Sequence, residues 1–162
     1  MRSGHKPGQR PVPKSLAPKV SIDVQIEVGS TVYLDSNPII YLTEGNARFK
    51  ASITALFTQL HLAHARLITS ELAYTETLVH PLRNADHDLV AAYDRLFSTL
   101  IAPQPISREV LLMAAQLRAQ TSKLRTPDAI HIATAQLAKA QAFVTADAGI
   151  TALPTGMQLV RV

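Results

Sequence analysis

The chain has 162 residues, a length that corresponds to one domain. Apolar residues make up 47% and charged residues 17%, a balance typical of a folded protein rather than a disordered chain. Cysteine is absent, which excludes disulfides, thiol nucleophiles and cysteine-ligated metal centres and suits a reducing cytoplasm. No apolar run approaches the ~18 residues of a membrane span. We therefore expect a cytoplasmic protein with no membrane segment.

The net charge of +4 is concentrated near the N-terminus. Residues 1–29 carry five basic and two acidic residues, and residues 1–20 are also rich in proline and glycine. This composition predicts a basic, flexible arm, and its charge alone does not identify a polyanionic partner. Residues 21–28 alternate polar and apolar side chains, the period of a β-strand. We divide the chain into an extension, residues 1–29, with a possible extra strand at 21–28, and a compact domain, residues 30–162.

In the compact domain, short apolar runs alternate with stretches of helical periodicity. The predicted strands are residues 31–34, 66–69, 101–106, 142–145 and 157–162. The predicted helices are residues 38–43, 47–65, 70–81, 84–100, 107–121 and 126–140, the first of them with Asn37 as its N-cap. Pro103 and Pro105 predict an edge position for the third strand. The order predicts an α/β fold, with a parallel sheet covered by helices on both faces.

Two acidic residues directly follow predicted strands. Asp35 follows the first strand, and Asp147 follows the fourth. Ligands of parallel α/β sheets bind beyond the carboxyl ends of the strands, so two acids there indicate a shared anionic pocket. The alternative for each is a turn aspartate that accepts hydrogen bonds from nearby backbone N–H groups.

Two further acids lie on predicted helices. Glu76 shares a helix face with apolar residues, so it must be paired, protonated or bound to a metal. Glu71 lies about 140° around the same helix and is interpreted as a capping acid. Asp128 begins a helix that is apolar nearly all round, where it either complements the helix dipole or points into the pocket. We interpret His131, one turn later, as a hydrogen-bonded structural histidine rather than a ligand.

Several carboxylates in one pocket raise one another's pKa values unless a cation lies among them. Oxygen ligands favour Mg²⁺ or Mn²⁺, and ions held in this way support attack of water on a phosphodiester. The sequence contains no glycine-rich phosphate loop and no Gly-x-Ser-x-Gly motif. His61 and His64 have no third ligand for zinc. A haloacid dehalogenase-type phosphatase is discounted, because that family needs Asp-x-Asp where this chain has DSN at 35–37.

Four segments resemble PIN domains, the nuclease fold of VapC-type toxins, with the acids in the same order over about residues 31–162. They are LDSNPIIY at 34–41, TSELAYTE at 69–76, TPDAIHIATA at 126–135 and FVTAD at 143–147. The resemblance implies that Asp35, Glu76 and Asp128 bind a first divalent metal, Mg²⁺ or Mn²⁺. It implies that Asp147 completes this site or helps to hold a second ion.

The same resemblance implies that Thr145 offers a hydroxyl toward the acids or the attacking water, and that Asn37 orients Asp35. It also implies a three-layer α/β/α fold with five parallel strands in the order 3-2-1-4-5. Residues 1–29 have no counterpart in this pattern. The strand at 21–28 would then pair at a sheet edge, pair with another chain, or remain unpaired, because the first strand is central.

These features predict a metal-dependent ribonuclease that acts as the toxin of a toxin–antitoxin pair and is neutralised by a small antitoxin. Arg118, Lys123 and Arg125 precede Asp128 and are candidates for guiding RNA, although cations also suit a solvated helix end. The family resemblance implies a homodimer, which the apolar helices 107–121 and 126–140 also suit. The alternatives are an RNA-processing nuclease without an antitoxin and a non-catalytic domain that binds a metal or a partner. The RNA target is not evident from the sequence.

Overall fold

A computed structural model of the protein describes residues 26–162. Five strands form one parallel sheet in the order β3-β2-β1-β4-β5. They are β1 (Thr31–Leu34), β2 (Arg66–Ser70), β3 (Ile101–Gln104), β4 (Ala142–Thr145) and β5 (Gln158–Arg161). The helices are α1 (Ser36–Ile40), α2 (Lys50–Leu62), α3 (Leu72–Arg83), α4 (His87–Thr99), α5 (Arg108–Gln120) and α6 (Thr126–Leu137), and a π-helical turn, Tyr41–Gly45, follows α1.

Alternate residues of β1 point to opposite faces of the sheet and so belong to different cores. Val32 and Leu34 pack in a cluster that includes residues of α1 to α4. Tyr33 packs on the other face with Phe143 of β4 and Ile132 of α6. Helix α5 packs outside α6 in a third cluster, which explains why α6 is buried nearly all round. The predicted three-layer α/β/α fold is confirmed.

The structure corrects several predicted element ends. Asp35, not Asn37, is the N-cap of α1, and its side chain accepts a hydrogen bond from the Ser36 N–H. Helix α3 continues through Pro81 to Arg83, although Pro81 has no N–H to donate to the carbonyl one turn earlier. The predicted helix at 47–65 is shorter, and β3 ends at Gln104, before Pro105. The edge position of β3 is confirmed.

The segment before β1 packs at the end of the sheet where the strands begin. Ile26 packs against the core, and the Gly29 N–H donates to the carbonyl of Ala63 at 2.8 Å. Gly29 has a φ of +76°, a conformation that glycine adopts without strain. Of the predicted strand at 21–28, residues 21–25 lie outside the described residues and residues 26–28 form no strand. Across residues 26–162, no helix is both long enough and apolar enough to cross a membrane.

Candidate active site

The strand order reverses direction between β1 and β4, and the predicted acids lie at this position. Chain connections run from β1 outward to β2 and β3, whereas β4 returns to the other side of β1. A crevice therefore opens beyond the carboxyl ends of β1 and β4, as is general in sheets of this type. Asp35 follows β1 there, and Thr145 ends β4.

Asp35 is buried, with 7% of the residue exposed, and both of its carboxylate oxygens accept hydrogen bonds. Oδ1 accepts from the backbone N–H of Ser36 at 2.8 Å. Oδ2 accepts from the hydroxyl of Thr145 at 2.7 Å. The Thr145 hydroxyl oxygen in turn accepts from the backbone N–H of Asp147 at 2.9 Å. The Thr145 side chain thus ties the end of β1 to the loop after β4.

Glu76 reaches the same crevice from α3. Its Oε2 accepts a hydrogen bond from the Ser36 hydroxyl and lies 2.8 Å from Nε2 of His131. Glu71 lies apart from this group and is exposed. Although Glu71 occupies the N-cap position of α3, its carboxylate makes no capping bond and instead accepts from the Ile106 N–H at 3.4 Å. The Leu72 N–H at the start of α3 is bonded by the hydroxyl of Ser70.

His131 lies behind the two carboxylates and is only 2% exposed. Its Nε2 is 2.8 Å from Glu76 Oε2 and 3.8 Å from Asp35 Oδ1. Its Nδ1 is 2.7 Å from the hydroxyl of Tyr33, which is completely buried. The interpretation of His131 as a hydrogen-bonded structural histidine agrees with these contacts. The sequence did not reveal that its partners are the pocket acid and a strand tyrosine.

Asp128 and Asp147 form a second acidic pair, joined by Arg125. The Arg125 guanidinium donates to Asp128 at 2.9 and 3.3 Å and to Asp147 at 2.5 Å. The two acidic side chains are 18% and 25% exposed, whereas that of Arg125 is 68% exposed. The acids raise the pKa of Arg125, first through the hydrogen bond to Asp128. The four predicted acids therefore form two pairs, one of which is bridged, and half neutralised, by an arginine of the chain itself.

The loop after β4 holds Asp147 in place. The Gly149 N–H donates to Asp147 Oδ1 at 2.7 Å, and a Cβ atom at position 149 would lie 3.0 Å from the same oxygen. Glycine at 149 therefore permits this close approach. Arg161 of β5 donates to the backbone carbonyls of Asp147 and Ile150. The loop is thus fixed to the edge strand of the sheet.

The carboxyls of Asp35, which is buried, and of Glu76, which is partly exposed, differ in acidity. Burial raises the pKa of Asp35, and the opposing effects of His131, Thr145 and Ser36 do not cancel it. Burial also acts to raise the pKa of Glu76, but the hydrogen bonds from His131 and Ser36 outweigh it, so that this pKa is lowered. Neighbouring carboxyls with pKa values pushed apart are typical of functional sites.

The raised pKa of Asp35 predicts a pH-dependent effect of Asp35→Asn on stability. The folded state holds the Asp35 proton more tightly than the unfolded chain, so wild-type stability falls as pH rises from the ordinary value of 3.8 through the folded pKa. Asparagine cannot ionise. The melting temperature of the metal-free variant minus that of wild type should therefore increase from pH 4 upward and then level off. Circular dichroism melts in a chelator from pH 4 to 8 check this, and a pH-independent difference would contradict it.

The arrangement fits a divalent cation. One oxygen each of Asp35 and Glu76 and a ring nitrogen of His131 all lie within 4.8 Å of one another. Carboxylate oxygens are the preferred ligands of Mg²⁺ and Mn²⁺. Partial burial makes the negative charges of these two acids costly, as the raised pKa of Asp35 shows, and a bound cation would offset that cost. Within the described part of the chain, this compact group does not include Asp128 or Asp147.

The remaining predicted residues lie around this crevice. Asn37 is on α1, and the Asp35 carboxylate is bonded by Ser36 and Thr145 instead. Arg118 donates to the carbonyl of Leu124 at 3.1 Å. Lys123 lines an open cleft of about 670 Å³, whose other lining residues include Arg125, Asp128, Asp147 and residues 149–152. The cleft adjoins the acids on the side where Arg125 is exposed.

A family model of the PIN domain matches residues 32–155, more than half of the chain. The chain belongs to the PIN-domain family. The four segments that resemble PIN domains, at 34–41, 69–76, 126–135 and 143–147, all lie within the matched residues. None of the curated proteins matches this PIN domain significantly.

Solved structures with a similar fold include several toxin–antitoxin proteins. VapBC2 from Rickettsia felis, bound to a DNA fragment from its promoter, aligns with a TM-score of 0.66 and 13% identity, over 81% of this chain and 98% of that one. A toxin–antitoxin complex from Klebsiella pneumoniae aligns with a TM-score of 0.56 and 22% identity, over 78% of this chain and 94% of that one. VapC20 from Mycobacterium tuberculosis is a toxin that cleaves the sarcin–ricin loop. It aligns with a TM-score of 0.54 and 18% identity, over 69% of this chain and 86% of that one. At these low identities, the TM-scores show a similar fold and nothing more.

The contacts of three residues around the acids were not predicted from the sequence. Ser36 bonds both Asp35, through its backbone N–H, and Glu76, through its hydroxyl. The one feature of the sequence that could have indicated the contacts of Ser36 was its position directly after Asp35. For Tyr33 and His131 there was no such signal, because their contact joins residues 98 positions apart in the sequence.

Proposed function

We propose that this PIN domain is a metal-dependent endoribonuclease and the toxin of a toxin–antitoxin pair. The observation that carries the proposal is the approach of Asp35 and Glu76 within one small group of metal-ligating atoms, in a chain of the PIN family. The similar folds of VapBC2 and of the toxin–antitoxin complex from Klebsiella pneumoniae support the toxin assignment. The substrate proposed is RNA, because VapC20, one of the similar structures, is described as cleaving an RNA loop.

In this proposal Asp35 and Glu76 hold Mg²⁺ or Mn²⁺, and Asp128 and Asp147 complete the site or hold a second ion. A bound ion lowers the pKa of its water and stabilises the leaving oxygen of a phosphodiester. The chain's own residues set the geometry. Thr145 fixes Asp35, and Ser36 fixes both Asp35 and Glu76.

The direct test is cleavage of purified total RNA by the full chain, with Mg²⁺ or Mn²⁺ and with a chelator. We expect discrete fragments with either ion and none with the chelator. Expression in a bacterial host tests the toxin assignment, since growth should stop and a small protein encoded beside the gene should restore it. Metal-dependent cleavage without growth arrest would leave an RNA-processing nuclease as the function. Failure of cleavage with every ion would overturn the proposal.

We propose that RNA enters through the cleft beside Arg125, with Arg118 and Lys123 on the same side. An acidic crevice repels phosphate, so cations near it are needed for binding. Arg125→Gln should weaken RNA binding and lower the slope of log affinity against log salt by about 1. Fluorescence anisotropy at several salt concentrations, in an Asp35→Asn background that prevents cleavage, measures this.

Two control variants make the Arg125 test specific. Arg125→Lys keeps the charge and should keep most of the salt dependence. Arg95→Gln removes an exposed arginine from α4, on the opposite face of the sheet from α6, and should leave RNA binding unchanged. An Arg125→Gln protein with unaltered affinity and slope would exclude the proposed entry path.

We further propose that the protein is a homodimer and binds a small antitoxin in the cytoplasm. Helix α6 is covered by α5 within the chain, but α5 leaves Leu111 and Leu112 about half exposed. Exposed leucines on one helix suit a subunit interface. Light scattering at micromolar concentration, on the full chain and on a version starting at Ser30, measures the assembly and the contribution of residues 1–29.

A further inference from the structure

The position of His131 allows two different roles. Its Nε2 belongs to the small group of atoms that could ligate a cation, so His131 could be a direct nitrogen ligand. The same nitrogen is also 2.8 Å from Glu76 Oε2, so it could instead be a hydrogen-bond donor that orients this carboxylate. A ligand nitrogen needs a free lone pair, whereas a donor needs a proton. The hydrogen on the ring therefore decides the role.

The Tyr33 end of the contact favours the donor role. The Tyr33 hydroxyl is completely buried and lies 2.7 Å from His131 Nδ1. A phenol has one proton to donate. The Tyr33 ring is also fixed, stacked on Phe143 with ring centroids 5.0 Å apart. The phenol proton thus points at Nδ1, and Nδ1 is the acceptor.

The Glu76 end leads to the same result. An ionised carboxylate accepts hydrogen bonds and cannot donate them. A 2.8 Å contact between Glu76 Oε2 and His131 Nε2 is therefore favourable only if Nε2 carries a hydrogen. Since Nδ1 accepts from Tyr33, the ring hydrogen of a neutral His131 is on Nε2.

We propose that His131 is not a metal ligand but a positioning residue, an Nε2–H donor whose tautomer is set by Tyr33 and which orients Glu76 toward the cation. The relay runs from Tyr33 to His131 to Glu76, and it places a strand residue, a residue of α6 and a residue of α3 in one chain of hydrogen bonds. The part of the proposal that concerns the cation rests on the proposed function. The part that concerns the tautomer does not.

The tautomer is read directly by nuclear magnetic resonance of histidine ring nitrogens in the metal-free full chain at pH 7.5. Loss of one set of signals in His131→Gln assigns the residue. We expect one bare nitrogen, Nδ1, and one protonated nitrogen, Nε2, with Nε2 still protonated after addition of Mg²⁺. A bare Nε2 in the metal-free protein, protons on both nitrogens, or loss of the Nε2 proton on adding Mg²⁺ would each overturn the proposal.

Mg²⁺ affinity, measured by calorimetry, tests the positioning role with a matched pair of variants. Glutamine can place an N–H near the position of Nε2, whereas leucine cannot. We expect His131→Leu to weaken Mg²⁺ binding by roughly 10–100-fold, the usual effect of removing a group that orients a ligand, and His131→Gln to weaken it much less. Equal losses in both variants would contradict the donor role.

Tyr33→Phe provides a further test that leaves the imidazole in place, and it covers the case in which His131→Leu does not fold. Without the phenol proton, only Glu76 still favours the Nε2–H tautomer, so we expect a smaller share of that tautomer in the ring-nitrogen signals and weaker Mg²⁺ binding. An unchanged Nε2–H tautomer in Tyr33→Phe would show that Tyr33 does not set it. If wild-type protein does not bind Mg²⁺ or Mn²⁺, the proposed function fails, and the nitrogen spectra of the metal-free chain still decide the tautomer.

Discussion

Asp35→Asn should reduce RNA cleavage by about 10³-fold while the fold is retained. The charge of Asp35 is needed to hold a cation, and metal-ion stabilisation of a transition state is worth several kcal/mol, each 1.36 kcal/mol being tenfold in rate. Asparagine has nearly the same shape and keeps an oxygen for the Ser36 N–H. The metal-free variant should melt at or above the wild-type temperature at neutral pH, because burial of the Asp35 charge is unfavourable.

The measurement is the rate of cleavage of a labelled RNA with Mg²⁺, together with thermal melting in a chelator. Asp94→Asn is the matched control, since Asp94 is an exposed residue of α4. It should keep full activity. A fully active Asp35→Asn protein would eliminate the metal-nuclease function, and an inactive protein that is also unfolded would show that Asp35 is needed for structure instead.

Glu76→Gln should reduce cleavage by at least about 10²-fold, whereas Glu71→Gln should stay within about twofold of wild type. The two glutamates are five residues apart on or next to α3, yet only Glu76 contacts Ser36 and His131. Glutamine removes the negative charge at each position without removing the side chain. The Glu71→Gln change affects only a long hydrogen bond, in which the Ile106 N–H donates to the Glu71 carboxylate.

The comparison of these two variants needs cleavage rates at saturating Mg²⁺ and at several lower concentrations. If Glu76 binds the ion, added Mg²⁺ should partly restore the activity of Glu76→Gln. Equal impairment of the two variants would mean that Glu71 also reaches the acids when RNA is bound, contrary to its position here.

Most of the fold follows from local patterns in the sequence. The apolar runs that became β1, β2 and β4 are short and buried on both faces, and such runs with helices between them specify a parallel sheet. The strand order came from the family resemblance. Helix ends were less predictable, because Asp35 and Asn37 are equally good N-caps by residue type and only the path of the chain after β1 selects Asp35.

The site was predictable as a set of acids but not as an arrangement. Glu76 was separable from Glu71 because helical phase alone assigns it to the apolar face. The pairing of Asp128 and Asp147 through Arg125 was not predictable, because it depends on how the loop before α6 meets the loop after β4. The same holds for the contact of Tyr33 with His131, which requires the packing of α6 on β1.

Pro103 in β3 affects whether a strand from another molecule can pair with this edge of the sheet. It pairs with Thr69 of β2 within the sheet, but it has no N–H, so β3 cannot present a continuous row of donors at its free edge. The opposite edge strand, β5, has only four residues, with Gln158 and Arg161 exposed. Short edges, proline and charge all oppose the addition of a strand from another molecule. Within residues 26–162, neither edge of the sheet therefore favours aggregation by β-pairing.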